Sequence, residues 1–148
     1  MDEKKFNEIL QFAIEKEIGT HNLYMTCKQV AKYSGAKELF AELAEEEEQH
    51  QKLLEHVSVG KVFQEKLNLI LDLRISDYLI GVECQPDSSY ADILRPVMKN
   101  EEPSVKLYND LKESCEDEDL RRLFEFLANE EAKHKLKFEK IYDEEILK

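Results

Sequence analysis

The chain has 148 residues, of which 36% are charged and 42% hydrophobic, and it carries a formal net charge of −12. That length allows one domain with a sizeable core, and the balance of residues, with few glycines and prolines, favours a helical bundle over a disordered chain. The acidity argues against nucleic acid and anionic membranes as partners, and it is compatible with cation binding or simply with solubility.

The N-terminal MDEKKF is charged and no long apolar segment follows it. Neither a signal peptide nor a transmembrane helix is expected, and a cytoplasmic protein is the simplest reading. A first helix is predicted over 3–33, with Phe6, Leu10, Ala13, Glu17, Thr20, Tyr24, Cys27 and Ala31 on one face. Gly35 is expected to end it. A second helix, 36–58, repeats steps of three and four through Phe40, Leu43, Glu47, His50, Leu54 and Val57.

Residues 61–86 break this pattern. Leu67, Leu69, Leu71, Leu73 and Ile75 alternate with other residues, as in an extended strap. A helix of about 23 residues is roughly 35 Å long, and an extended chain covers that distance in about 11 residues. The segment can therefore return along the whole bundle, and the second hairpin is expected to start at the end where the first did. Pro86, Asp87 and Ser88 supply breaker and capping chemistry before a third helix, 88–115. Its face carries Tyr90, Leu94, Val97, Glu101, Ser104, Tyr108, Leu111 and Cys115. The acidic CEDED, 115–119, puts negative charge at the start of a fourth helix, 118–146, where the helix dipole favours it. That helix carries Phe124, Leu127, Glu131, His134, Phe138 and Ile141. Cys27, Cys84 and Cys115 are widely spaced and form no CxxC, which excludes a zinc-ribbon or iron–thiolate signature and suggests reduced thiols.

Shifted by 84 residues, the chain matches itself without gaps. Glu17 meets Glu101, Tyr24 meets Tyr108, Glu46 and Glu47 meet Glu130 and Glu131, and His50 meets His134. The single domain, 1–148, thus reads as two helical hairpins, 3–58 and 87–142, joined by the 61–86 crossover.

Each predicted helix places one glutamate among apolar neighbours. A buried, unpaired carboxylate costs several kcal/mol or takes up a proton. Four at one level would repel one another, and two divalent cations would balance them, with two neutral imidazoles completing the ligand set. Glu on two helices and Glu-x-x-His on the other two is the known constellation of ferritin-like di-iron and di-manganese proteins. One ExxH in a glutamate-rich chain is weak, but here there are two, each 30 residues after a glutamate of the apolar face (Glu17 to Glu47, Glu101 to Glu131). A metal-free core with histidines bonded to glutamates would not account for the duplication.

With AIEKEIGTHNLY, ELAEEEEQH, ISDYL, MKNEEPSVKLYNDL and LANEEAKH in view, the chain resembles the rubrerythrin-like members of the ferritin-like superfamily. The resemblance implies an all-α, antiparallel four-helix bundle with one long crossover between helices 2 and 3 and a non-haem di-iron site, manganese being the alternative occupant. It carries the ligand role onto Glu17, Glu47, His50, Glu101, Glu131 and His134, with Glu47 and Glu131 bridging. The four glutamates would act in catalysis through the metal centre. Tyr24 and Tyr108 are expected to donate to ligand carboxylates, or else to be buried aromatics with satisfied hydroxyls. Glu46 and Glu130, one turn before the histidines, are expected to orient the imidazoles.

The activity implied is reduction of hydrogen peroxide or oxygen. Relatives of this type append a rubredoxin domain; this chain shows no such cysteines, so a separate donor such as a rubredoxin is expected. The competing readings are a ferroxidase or iron-storage protein and a scaffold acting through partners. Homodimers are common among similar proteins. Pro103, two residues after Glu101, places that ligand's geometry in question, and Glu102 is the fallback ligand if the helix is overwound there. His21, one turn from Glu17, is read as an ordinary, partly exposed histidine rather than an extra ligand.

Overall fold

The computed structural model describes residues 2–31, 34–60 and 90–145, and these residues form four helices. They are α1 (Asp2–Val30), α2 (Ser34–Gly60), α3 (Tyr90–Ser114) and α4 (Glu118–Glu145). The expectations for the strap, for Cys84 and for the Pro86-Asp87-Ser88 cap fall outside the described residues. Gly35 does not end α1. That helix stops at Val30, and Gly35 lies in the first turn of α2 without the left-handed backbone that a helix-ending glycine adopts. At the start of α4 the side-chain oxygen of Asp117 accepts the Leu120 N–H at 3.1 Å, and Glu118 and Asp119 occupy the first turn.

The predicted seam is the buried face. At every seam position whose side chain is described the residue is buried, except for Ile141, which is partly so. Apolar burial collects in two places along the bundle. Phe6, Leu10, Leu54, Leu111, Phe124 and Leu127 belong to one core. Tyr24, Phe40, Leu43, Val97 and Phe138 belong to the other. Within the second, Tyr24, Phe40 and Phe138 pack with ring centroids 6.1, 5.8 and 6.0 Å apart. Burying side chains of this size contributes about 1.5–3 kcal/mol each, so the two cores hold the helices together. The glutamates and histidines form a polar layer between them.

Backbones approach most closely within each hairpin, α1 with α2 and α3 with α4. The hairpins stand further apart from each other, which leaves room for the polar layer. Tyr24 meets Glu101 while Glu17 meets Tyr108, so rising numbers in α1 meet falling numbers in α3. Likewise Glu42 meets Lys137 and His50 meets Glu131 in an antiparallel α2–α4 pair. The hairpins are thus related by a pseudo-two-fold axis perpendicular to the bundle. This corrects the expected direction of the second hairpin. A hairpin begins and ends at the same end, so α3 can run antiparallel to α1 only if it begins at the end opposite α1's start.

Cys115 is a buried thiol. Cys27 is disulfide-bonded, so the expectation of reduced thiols fails there. Among the described residues, no helix is long and apolar enough to cross a membrane.

Candidate metal centre

Heptad-like spacing puts each glutamate of the layer on the inward stripe of its helix, and the i, i+3 spacing of Glu47–His50 and Glu131–His134 brings two ligand types to one face. All six residues are buried, none more than 3% exposed. They fall into two groups, Glu17, Glu47, His50 and Glu131, and Glu47, Glu101, Glu131 and His134. Within each group the candidate ligand atoms lie within 4.8 Å of one another. Glu47 and Glu131 belong to both groups. The pseudo-two-fold exchanges the groups, and the two imidazoles lie nearly parallel, 6.0 Å apart.

The donors face inward and are underused. Glu17 Oε2, Glu47 Oε1, Glu101 Oε2, Glu131 Oε2 and His134 Nδ1 are buried with no hydrogen-bond partner. His134 Nδ1 stands 2.9 Å from Glu47 Oε1, close enough for an ion pair but without hydrogen-bond geometry. Buried polar atoms are ordinarily paired. Four convergent carboxylates with orphaned oxygens and two imidazole nitrogens suit two divalent cations, and a set of oxygen ligands with one histidine per cation suits iron or manganese.

Electrostatics without cations lead to the same conclusion. Burial, then the Glu47 charge, pushes Glu17 up to about 8. Burial, then Glu101, Glu17 and Glu47, raises Glu131 well above the carboxylate range. Burial also opposes ionisation of Glu47, but its interactions with Glu17, His134 and His50 outweigh that and hold it low. Burial disfavours charged imidazoles, yet the surrounding carboxylates overcome it and push His50 to about 9 and His134 to about 12. Protons therefore take the place of missing positive charge.

The second ring of contacts crosses between repeats. The Tyr108 hydroxyl donates to Glu17 and the Tyr24 hydroxyl to Glu101. Each tyrosine thus serves the glutamate of the other hairpin, because α1 and α3 run antiparallel. Glu46 also reaches across. Its Oε2 accepts from His134 Nε2 at 2.5 Å rather than orienting His50 on its own helix. Glu130, expected to mirror it, turns instead to Lys133 at 3.3 Å.

Glu101 faces the layer, while Glu102, one residue and about 100° further round the helix, is exposed and meets Lys135 at 3.1 Å. Pro103 is accommodated inside α3 without displacing Glu101, so Glu102 is not its substitute. His21 lies outside both groups and donates from Nδ1 to the Ala44 carbonyl at 2.7 Å. Sequence reasoning missed Phe126, whose ring stands edge-on to His50 with centroids 6.2 Å apart. The signal was present as a mismatch, since Phe126 aligns with Glu42 under the 84-residue shift.

No curated protein matches the chain. Its structure is similar to that of a hypothetical protein from Pyrococcus furiosus, at 30% identity and a TM-score of 0.73, over 93% of this chain and 87% of that one. A sequence model of the family described as Rubrerythrin matches residues 8–142. With its buried, duplicated glutamate and histidine layer, the chain belongs to the rubrerythrin family.

Proposed function

We propose that this protein is a non-haem di-iron oxidoreductase that reduces hydrogen peroxide, with oxygen as a second oxidant, using electrons from a separate donor such as a rubredoxin. The observation that carries this reading is the pair of four-residue groups sharing Glu47 and Glu131, with orphaned buried oxygens directed between them. Glu17, Glu47, His50 and Glu131 would hold one iron, and Glu47, Glu101, Glu131 and His134 the other. Two ferrous ions supply together the two electrons that, with two protons, convert one peroxide to two waters.

The chain's own residues do the rest. Glu47 and Glu131, which belong to both groups, would be shared between the two ions. Tyr108 and Tyr24 fix the orientation of Glu17 and Glu101 through their hydroxyls. The apolar cores above and below the layer limit water. Manganese is the alternative occupant.

The test is turnover. Iron-loaded protein given a reductant and peroxide should remove peroxide over many cycles. If each peroxide consumed leaves ferric ions behind and the reaction stops, iron oxidation or storage is the function instead.

A further inference from the structure

The two halves of the centre match in nearly every respect. Each has one histidine, one terminal glutamate and two shared glutamates. Each terminal glutamate accepts from one tyrosine hydroxyl. The match fails at the outer nitrogens of the histidines. His134 Nε2 donates to Glu46 at 2.5 Å, and the neighbouring Lys137 reaches Glu42 at 3.5 Å. The equivalent positions around His50 are different. Glu130 is engaged by Lys133 on its own helix. Where the first repeat has Glu42 the second has Phe126, and where the second has Lys137 the first has Leu53. Phe126 and Leu53 are both exposed apolar residues. Among the described residues no carboxylate faces His50 Nε2.

A carboxylate that accepts from the outer N–H of a ligating imidazole fixes its tautomer and ring orientation and raises its basicity, and its loss typically costs 10–100-fold in metal affinity. The geometry points to two inequivalent metal positions: the one at His134, held by Glu46 as a positioning residue, binds a divalent cation more tightly and fills first, and the one at His50 is the weaker, exchangeable position. This rests on the two-metal reading above and adds an order of filling to it.

The test is a titration of the metal-stripped, full-length protein with Mn²⁺, with free ion followed by electron paramagnetic resonance. Repulsion between ions separates two binding steps even in a symmetric site, so the comparison is between variants. Glu46→Gln should lower the product of the two binding constants roughly 10- to 100-fold, and Glu130→Gln should change it less than about 3-fold. Both are partly exposed positions, and circular dichroism should show unchanged helix content. In crystals grown with one equivalent of Mn²⁺, anomalous scattering should place the ion beside His134. Equal losses in both variants, no loss in Glu46→Gln, or a first ion beside His50 would overturn the inference while leaving a two-metal centre in place. A wild-type protein that binds fewer than two ions would instead remove the two-metal reading itself.

Discussion

Phe40 and Glu47 lie two turns apart on one face of α2, at 0% and 1% exposure, and only their surroundings separate them. Phe40 packs against the rings of Tyr24 and Phe138. Glu47 faces three other carboxylates and keeps an oxygen without a partner. The same periodic burial that builds the apolar cores thus forces the polar layer into an unfavourable environment. The layer is stable only with added positive charge, from cations or from protons, and the cores bear the cost in its absence.

Several substitutions separate the two regions, beginning with the largest effect. Phe40→Ala should cost about 3–5 kcal/mol in urea denaturation, with or without metal, because it opens a cavity in a core that the metal does not touch. A cost that vanished on metal loading would make that core part of the centre. Next is pH. Glu17 and Glu131 have raised folded values, so their contribution is complete below about 4.5 and is lost as pH rises, for Glu17 through about 8. The raised histidines lose theirs in the same direction, His50 between 6.5 and about 9. Glu47 and Glu46, held low, favour folding as pH rises, but their contribution is already complete above about 4.5. The melting temperature of the metal-free protein should therefore fall from pH 5 to pH 9, and the metal-loaded protein should show a much flatter profile. Binding two divalent ions at pH 7 should release about four protons, one each from Glu17, Glu131, His50 and His134, measurable by calorimetry in buffers of different ionisation enthalpy. Release of one proton or none would contradict this charge balance.

Glu131→Gln should reverse the usual sign of a core substitution. In the metal-free protein at pH 8 it removes the cost of keeping a buried carboxyl protonated among like charges, and a gain of about 1–4 kcal/mol is expected, together with loss of two-ion binding. Destabilisation of the size seen for Phe40→Ala would give Glu131 a structural role instead. The smallest effects belong to Tyr24→Phe and Tyr108→Phe. Each should cost about 0.5–1.5 kcal/mol in the metal-free protein, and the two should agree because the pseudo-two-fold makes them equivalent. Unequal costs would mean that the two halves differ inside the layer as well as around the outer histidine nitrogens.

Much of this was legible in the sequence, because periodicity and repetition act along the chain. The steps of three and four put Glu17, Glu47, His50, Glu101, Glu131 and His134 on buried stripes, and the 84-residue shift matched them in pairs. What remained hidden depends on how the helices face one another. No pattern within one helix shows that Tyr24 serves Glu101 rather than Glu17, since that follows from the antiparallel α1–α3 pairing. The same holds for Glu46, which passes over His50 to reach His134. Equivalent residues in the repeat also need not share a role. Glu130 has the same sequence position as Glu46, but Lys133 lies one turn away on its own helix and captures it. Gly35 was misleading for a different reason: an exposed glycine in a first helical turn looks, from sequence, like one that ends the preceding helix.

The crossing of tyrosines and glutamates between hairpins also bears on the order in which the chain acquires its structure. Either hairpin alone contains one Glu-x-x-His and one of the two tyrosines of the layer, but that tyrosine's carboxylate partner and one of the two shared glutamates lie on the other hairpin. The complete centre therefore exists only once the two helical pairs have docked. Before that moment each hairpin lacks one of the two shared glutamates, so metal should slow undocking more than it speeds docking. The lifetime of the assembled bundle, more than the rate at which it forms, is what the ions would control.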